Sequence, residues 1–241
     1  MDILNIVSAG AAQAVVERVA RRLEAQGGCT VQARFGPVQA MHALVRAGEA
    51  VDVIVLTDVL MDALAAAQLV LPGSCAALGS VGTGLAVRAG LPLPDIASLE
   101  ALRATLLRCD RLVCPDPAVA TAGKLLLEVL DRLGIAGALQ PRLVRCRSGD
   151  EALAELARGV GANDIGVMQI TEIIAGEHAG QGIRLAGPLP AELQKLAVYA
   201  AGLAAHGKVP ARASAFMQAL LADRVALRAA GFGDCAPCSP S

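Results

Sequence analysis

Three short apolar strands of this chain each run through a turn of small residues into a predicted helix. The junctions are Ile3–Val7 before Ser8-Ala9-Gly10, Val31–Phe35 before Gly36-Pro37, and Leu112–Cys114 before Pro115-Asp116-Pro117. A helix N-terminus carries about half a positive charge and up to four backbone N–H groups that have no partner inside the helix. Several such ends that converge would bind an anion without a lysine or an arginine. The sequence therefore predicts a site for a small anion.

The composition restricts the possible partners. The 241 residues are 55% hydrophobic and 18% charged, with a formal net charge of −1, which is typical of a globular protein with a buried core. Lys and Arg are scattered rather than clustered, so we expect no nucleic-acid partner. Aromatic residues make up 2% of the chain, which argues against ligands that are held by ring stacking. We expect a small polar or charged ligand and no cofactor.

The cysteines and the N-terminus favour a reducing compartment. Seven cysteines at irregular spacing are an odd number in a chain long enough to fold without disulfides. Met1-Asp2 leads directly into a predicted strand, without the features of a secretory signal. We expect a cytoplasmic protein as the sequence is written, or a periplasmic one if an export signal was removed. No apolar run approaches about eighteen residues without a charge or a turn, so no membrane insertion is expected.

Strand and helix patterns alternate along the chain, which predicts an α/β fold with parallel sheets covered on both faces. Strands are expected near residues 3–8, 29–35, 52–57, 80–88, 111–114, 140–146, 163–168, 182–186 and 195–203. Helices are expected near residues 11–26, 38–47, 59–67, 98–108, 121–134, 149–159, 171–176, 209–221 and 223–230. The number and order of these elements indicate two α/β lobes.

Two long apolar strands, Val81–Val87 and Lys195–Leu203, follow loops rich in Pro and Gly and are interpreted as crossings between the lobes. The predicted bounds are residues 1–80 with 196–241 for lobe I, and residues 81–195 for lobe II. A ligand cleft is expected between the lobes at the carboxyl ends of the strands. Gly82-Thr83-Gly84 is interpreted as a hinge that closes it.

Several blocks of residues resemble the molybdate-binding-like group of bacterial type II solute-binding proteins, which serve ABC transporters. The blocks are Ile6–Gly10, Phe35–Pro37, Gly48–Asp58, Val113–Pro117 with Thr121–Lys124, and Ile165–Gln169. They follow the family's order over nearly the whole chain. The resemblance implies a two-lobed type II periplasmic-binding-protein-like fold with a hinged interlobe cleft, where hydroxyls and helix-start N–H groups bind an anion. If the protein is exported, it also implies an ABC-transporter permease as a partner.

The resemblance places the ligand in the loops that precede the helices and implies a set of ligand-binding residues. They are Ser8, Ala9, Gly10, Gly36, Pro37, Val38, Thr57, Thr83, Val119, Ala120, Thr121, Lys124 and Gln169. Helix capping is the alternative role for Ser8, Thr121 and the Thr57-Asp58 pair, since these residue types cap helices more often than they bind ligands.

Two departures from the group bear on the identity of the anion. Molybdate binders of the group have a serine in the second loop, where this chain has Gly36-Pro37-Val38, and a tyrosine where it has Gln169. Losing a hydrogen-bond donor from a buried site costs about 1–3 kcal/mol, so molybdate or tungstate is the weaker expectation. Gln169, Thr171 and Glu172, with Gly187–Gln194, resemble a branch that includes bacterial aconitate isomerase. A di- or tricarboxylate is therefore the expected ligand.

An isomerase of unsaturated polycarboxylic acids is the alternative to a protein that only binds. It needs a base near the acidic carbon and donors for the carboxylates and the developing negative charge. Glu172 and Lys124 are the candidate catalytic residues, because both are predicted at helix starts beside the expected cleft. A lysine in the first turn of a helix is unfavourable without an anion nearby, so Lys124 is also a candidate carboxylate clamp. A third class, a cytoplasmic ligand sensor, stays open.

The remaining titratable residues are predicted to be structural. His42, His178 and His206 fall in different elements without a Cys or carboxylate at ligand spacing, so no metal site is expected. Glu151, Glu155 and Arg158 are predicted to form a solvated helix face. Residues 233–241 are predicted to form a flexible tail, which contains the pair Cys235 and Cys238.

Overall fold

The computed structural model describes residues 2–27 and 29–234 of the chain, which group into two compact units. Unit 1 comprises the chain up to Val81 together with the chain from Ala197 onward, and unit 2 comprises Gly82–Leu196. The chain therefore leaves unit 1 once and returns to it once. Cys235, Cys238 and the rest of the expected tail from residue 235 onward lie outside the described residues.

Strands and helices alternate along most of the described chain. The strands are β1 Asp2–Ala9, β2 Cys29–Gly36, β3 Val53–Thr57, β4 Ala76–Val81, β5 Thr83–Arg88, β6 Leu112–Pro115, β7 Leu143–Cys146, β8 Ile165–Gln169, β9 Ile183–Pro188 and β10 Ala197–Leu203. The helices are α1 Gln13–Ala25, α2 Val38–Arg46, α3 Asp58–Ala66, α4 Leu99–Arg108, α5 Thr121–Arg132, α6 Ala136–Leu139, α7 Gly149–Ala157, α8 Ile170–His178, α9 Pro210–Ala222 and α10 Arg224–Ala229. Short 3-10 turns cover Gly10–Ala12 and Gln140–Arg142.

Unit 1 contains a five-stranded sheet in the order β2-β1-β3-β10-β4. β1 runs parallel to β2 and β3, whereas β10 is antiparallel to β3 and β4. Val53, Ile54, Val55 and Leu56 of β3 are completely buried, as expected of a central strand that is covered on both faces. Val81 and Ala197 are paired across β4 and β10, so the residues at which the chain leaves and re-enters this unit are neighbours in its sheet.

Unit 2 has a sheet of the same plan, in the order β7-β6-β8-β5-β9. β6 runs parallel to β7 and β8, and β5 is antiparallel to β8 and β9. β5 and β10 thus hold equivalent places, each as the strand that opposes its neighbours on both sides. The expectation of purely parallel sheets is therefore wrong at these two strands, and each sheet is mixed.

The single strand expected near residues 80–88 is two strands, β4 and β5, which belong to different units. The break falls at Gly82, where a Cβ would lie 3.0 Å from Nε2 of Gln194. The side-chain amide of Gln194 accepts from the Thr83 N–H at 2.9 Å and donates to the Thr83 carbonyl at 2.8 Å. A side chain therefore satisfies both backbone groups of the first residue of β5. The apolar pattern hides the break because both strands are largely buried.

The two faces of the unit 2 sheet have separate apolar cores. Leu112 and Cys114 of β6 contribute to one core, and Val113 between them contributes to the other, as the alternation of side chains along a strand requires. The first core contains apolar residues of α4 and α5, and the second contains residues of α7 and α8. Helices on both faces thus fix the strands whose ends carry the candidate site.

Candidate functional site

The parallel strands β1, β2 and β3 of unit 1 end at the same edge of their sheet. Ala9 is paired with Gly36, and Ser8 is paired with Val55, two residues before Thr57. Directly after these strands the 3-10 turn begins at Gly10, α2 begins at Val38 and α3 begins at Asp58. The unit 1 residues that were predicted to bind the ligand are therefore brought together at this edge.

These helix starts lack side-chain caps. Ala9, Pro37 and Thr57 occupy the N-cap positions, and none of their side chains accepts a hydrogen bond from the turn that follows. By contrast, α4, α7 and α10 are each capped by a Ser or Asp side chain. At α3 the carboxylate of Asp58 accepts from the Val59 N–H at 2.8 Å. An N-terminus without a cap keeps backbone donors available for an anion.

The capping role considered for Ser8 and Thr121 is wrong. Ser8 is the last but one residue of β1, is completely buried, and donates its hydroxyl proton to the Ala9 carbonyl at 3.0 Å. Thr121 is the first residue of α5, and the N-cap position belongs to Ala120. Neither the Ser8 hydroxyl nor the Thr121 hydroxyl therefore caps a helix.

The parallel strands β6, β7 and β8 of unit 2 also share one edge at their carboxyl ends. After these ends α5 begins at Thr121, α7 at Gly149 and α8 at Ile170. Thr83, the first residue of the antiparallel β5, is paired with Gln169 at the end of β8. Thr83, Thr121 and Gln169 therefore lie at one edge of this unit's sheet.

The start of α5 has three backbone N–H groups without an acceptor among the residues that the structure describes: those of Thr121, Ala122 and Gly123. The N–H groups of Val119 and Ala120, which were also assigned to the ligand, donate to the Asp116 carbonyl at 3.1 and 2.9 Å. The loop thus uses its own donors up to Ala120 and leaves those of the first helical turn free.

Lys124 completes the first turn of α5. Its side chain is exposed and has no ion pair within the described part of the chain. A cation in this position is repelled by the positive end of the helix dipole unless an anion lies close by. The α5 start therefore combines free donors with a cation, which is an arrangement suited to a carboxylate.

Gly123 shapes the same helix start. A Cβ at this position would lie 2.1 Å from the carbonyl oxygen of Pro115 and 2.9 Å from the backbone N of Pro117. The loop after β6 can pack this closely on α5 only because residue 123 has no side chain. The glycine in Thr121–Lys124 is therefore required for the backbone to bring the free N–H groups to the sheet edge.

Glu172, the third residue of α8, places its carboxyl group against the start of α7. A Cβ on Gly149 would lie 2.3 Å from the Cδ of Glu172. The carboxylate accepts from the Gln169 N–H at 3.3 Å. Burial, reinforced by the carboxylate of Asp150, raises the pKa of Glu172 to about 7. A group that exchanges a proton near neutral pH therefore lies at the same sheet edge as the starts of α5, α7 and α8.

The start of α7 was missing from the predicted site, although a sequence signal marks it. Ser148 caps this helix by accepting from the Glu151 N–H at 3.2 Å, and Ser-x-x-Glu before an apolar run is a signature of a helix start.

Thr171 in the first turn of α8 is buried, and its hydroxyl has no hydrogen-bond partner among the described residues. This is rare for a buried polar group.

Two further observations concern metal and membrane. Within residues 2–27 and 29–234, no three His, Cys, Asp or Glu residues form a group that could hold a metal ion. In the same ranges no helix has both the length and the apolar character needed to cross a bilayer.

The fold and the sequence are similar to those of several known proteins. The structure of the Azotobacter vinelandii periplasmic molybdate-binding protein covers 97% of this chain and all of its own, with a TM-score of 0.79 and 23% identity. The sulfate-binding protein of Mycobacterium tuberculosis covers 98% of this chain and 88% of its own, with a TM-score of 0.70 and 21% identity. In sequence, aconitate isomerase from a Pseudomonas species is 26% identical over 223 residues, which are 90% of this chain and 81% of that protein.

These likenesses identify the fold as the two-lobed type II fold of periplasmic binding proteins. The profile of the bacterial extracellular solute-binding protein family matches residues 4–233. This chain therefore belongs to the bacterial extracellular solute-binding protein family.

Proposed function

We propose that this chain is a solute-binding protein for a small organic anion, a di- or tricarboxylate. The observation that carries the proposal is the start of α5, where the N–H groups of Thr121, Ala122 and Gly123 are free and Lys124 lies exposed beside them. Backbone donors and the helix dipole suit one carboxylate, and the flexible lysine suits a second one.

Two features favour a polycarboxylate over molybdate or sulfate. The second loop offers Pro37 and Val38 where the molybdate binders have a hydroxyl, so a tetrahedral oxyanion would lose a donor at that point. The sequence is also similar to that of aconitate isomerase from a Pseudomonas species, and aconitate is a tricarboxylate. The family's extracellular setting supports the alternative in which the protein acts outside the cytoplasm and delivers its ligand to an ABC-transporter permease.

Titration calorimetry and thermal unfolding test this proposal. The ligands to compare are molybdate, tungstate, sulfate, citrate, cis-aconitate, trans-aconitate and succinate. We expect heat of binding and a rise in melting temperature with one or more of the carboxylates. A ligand at about one hundred times its dissociation constant stabilises the fold by about 2.7 kcal/mol. A response to molybdate and tungstate alone would overturn the proposal and assign the site to oxyanions.

A second candidate function, isomerisation of the bound acid, is favoured by Glu172. As a carboxylate it can take a proton from a methylene carbon of an unsaturated acid. The electron pair of that C–H bond then forms the new double bond, and the former double bond takes up a proton at its far carbon. A pKa of about 7 makes both forms of Glu172 available near neutral pH.

Proton NMR of cis- and trans-aconitate in deuterium oxide separates this candidate from binding alone. An isomerase interconverts the two acids and exchanges methylene protons for deuterium, and Glu172→Gln abolishes both processes while it keeps binding. Binding without exchange in the wild type would leave the chain as a binding protein and exclude the isomerase.

A further inference from the structure

A cavity in unit 2 lies away from the helix starts. It has a volume of about 330 Å³ and is formed by the loop Leu91–Pro94, the C-terminal half of α4 and the residues Asn163–Ile165 at the start of β8. We refer to it as the α4 pocket. Its volume lies within the range of cavities that bind small molecules.

The α4 pocket lies at the opposite end of β8 from the candidate anion site. Ile165, which lines the pocket, is the first residue of β8, and Gln169 beside the starts of α7 and α8 is the last. Four residues of a strand span about 13 Å. A molecule in the α4 pocket would therefore not contact the residues that are proposed to bind the polycarboxylate.

One cation in the α4 pocket has no counter-charge. Arg108, the last residue of α4, lines the pocket and is exposed, and its guanidinium has no hydrogen bond or ion pair within the described part of the chain. The pocket carboxylate, Asp164, is already paired through Oδ2, because Arg111 lies 2.6 Å from this oxygen and the Gly161 N–H donates to it at 3.0 Å. Its other oxygen, Oδ1, is buried and has no hydrogen-bond partner among the described residues. Burial opposes ionisation of Asp164, yet Arg111 and Gly161 hold its pKa below the ordinary value.

Arg111 also contacts a second carboxylate, that of Glu155, at 2.6 Å, and Arg158 contacts the same Glu155 at 2.9 Å. Glu155 is therefore part of a half-buried ion-pair network, and the prediction that it belongs to a solvated helix face is wrong. The two guanidiniums of this network, Arg111 and Arg158, balance the two carboxylates, Asp164 and Glu155. The charge left for a ligand in the α4 pocket is the positive charge of Arg108.

The negative end of the α4 dipole is also occupied. The guanidinium of Arg142 donates to the carbonyls of Leu107 and Cys109 at 2.8 and 3.0 Å. Without Arg142, these carbonyls at the end of the helix would attract a ligand cation. Burial raises the pKa of the Cys109 thiol to about 11, so this lining residue is uncharged at neutral pH. Neither feature offsets the charge of Arg108.

The walls of the α4 pocket are mainly apolar. Val87, Leu91 and Ile165 line it together with the prolines of the loop. Leu93, at 45% exposure, leaves apolar surface open to water at the same place. Covering such surface is favourable in proportion to the area removed from water.

We propose that the α4 pocket binds a small organic acid with a short hydrocarbon chain, whose carboxylate pairs with Arg108 and whose chain contacts Val87, Leu91 and Leu93. This site is separate from the proposed polycarboxylate site and does not depend on it. The proposal follows from two features taken together. The positive charge of Arg108 repels a cation, and the apolar walls disfavour an ion that keeps its full hydration shell.

Amide chemical shifts of the full chain, measured with three probes of equal chain length, test the proposal. The probes are hexanoate, 1-hexanol and hexylammonium, whose head groups are anionic, neutral and cationic. We expect hexanoate to shift the amides of Val87, Cys109 and Ile165 without shifting those of Thr121 and Gly149. Hexanol should bind more weakly, and hexylammonium should bind weakest.

Matched variants separate the charge from the chain. Arg108→Gln should raise the dissociation constant of hexanoate about fivefold and leave that of hexanol unchanged, as expected for loss of one partly exposed ion pair. Arg46→Gln is the control, since Arg46 is likewise an exposed last residue of a helix, in unit 1. Leu93→Ser should weaken hexanoate and hexanol alike.

Three results would overturn the proposal. One is equal affinity for hexanoate and hexylammonium, which would show that Arg108 does not select an anion. Another is an unchanged hexanoate affinity in Arg108→Gln. The third is the absence of shifts at Val87, Cys109 and Ile165 up to the solubility limit of hexanoate.

Discussion

The carboxyl group of Glu172 fills the space in which a side chain of residue 149 would begin. A Cβ on Gly149 would lie 2.3 Å from Cδ and 2.4 Å or less from both carboxyl oxygens of Glu172, closer than any non-bonded contact allows. The first turn of α8 can therefore approach the first turn of α7 only because residue 149 is a glycine. This contact joins two of the three helix starts at the carboxyl edge of the unit 2 sheet.

Gly149→Ala should lower the free energy of unfolding by about 1–3 kcal/mol, because the added methyl group overpacks the contact. The cost should largely disappear in a Glu172→Ala background, where the carboxyl group is gone. Urea unfolding of the two single variants and the double variant measures this coupling. Gly137→Ala is the control, since a Cβ at Gly137 of α6 meets nothing within 4 Å. Equal costs of Gly149→Ala in both backgrounds would contradict the geometry.

Glu172 should make the stability of the protein depend on pH near neutrality. Its pKa rises from an ordinary value of 4.5 to about 7 in the folded state, so the folded protein holds this proton more tightly than the unfolded chain. The contribution of Glu172 is then fully favourable below about pH 4.5 and is lost as the pH rises through about 7. Between these limits the wild type should lose about 1–3 kcal/mol relative to Glu172→Gln.

Urea unfolding at about pH 5 and about pH 8 checks this prediction. The change in the free energy of unfolding with pH gives the difference in bound protons between the unfolded and the folded state. Glu192→Gln is the matched control, because Glu192 is exposed and its carboxylate has no hydrogen bond among the described residues. Parallel pH profiles for the wild type and Glu172→Gln would show that Glu172 ionises in the folded protein as it does in water.

Lys124→Gln should weaken binding of a polycarboxylate about fivefold without changing the melting temperature of the free protein. The side chain is exposed and makes no ion pair within the described chain, so folding does not depend on it. The loss should shrink at high salt, because exposed charge pairs are screened. Calorimetry at low and high salt measures both effects, and Lys208→Gln, an exposed lysine of unit 1, is the control. An unchanged affinity would remove Lys124 from the site.

Asp52→Ala should destabilise the fold by about 2–4 kcal/mol, because several backbone donors would lose their acceptor. The carboxylate of Asp52 is 2% exposed and accepts from the N–H groups of Asn5, Lys208 and Val209 at 2.8, 2.6 and 3.2 Å. Thermal unfolding measures the loss, and Asp62→Ala, at an exposed position of α3, should cost little. Loss of ligand affinity in folded Asp52→Ala would contradict its purely structural role.

Asp52 also shows that a residue inside a family motif can have a structural role. The block Gly48–Asp58 carries part of the resemblance to the solute-binding group, yet its buried carboxylate joins the backbones of three segments at the amino end of β3. By contrast, the junctions after β1, β2 and β6 follow from local patterns alone, because a short apolar run and a turn of small residues suffice to place a helix start. The fold class and the carboxyl-edge location of Ser8, Gly36 and Thr121 could therefore be predicted.

The parts that could not be predicted depend on contacts between distant segments. The burial of Glu172 arises from its packing on Gly149, which lies on another helix. The N–H groups of Val119 and Ala120 are engaged because Asp116 forms a local turn that no apolar pattern reports. The division of residues 80–88 into two strands depends on Gln194, whose amide satisfies Thr83 from more than a hundred residues away.

The pairing of Val81 with Ala197 has a consequence for the ancestry and engineering of this chain. These residues face each other across antiparallel β4 and β10, so all of Gly82–Leu196 is inserted between two ends that already touch. A two-residue turn could join them as an ordinary β-hairpin. A chain shortened in this way would keep all five strands of the unit 1 sheet in their present order.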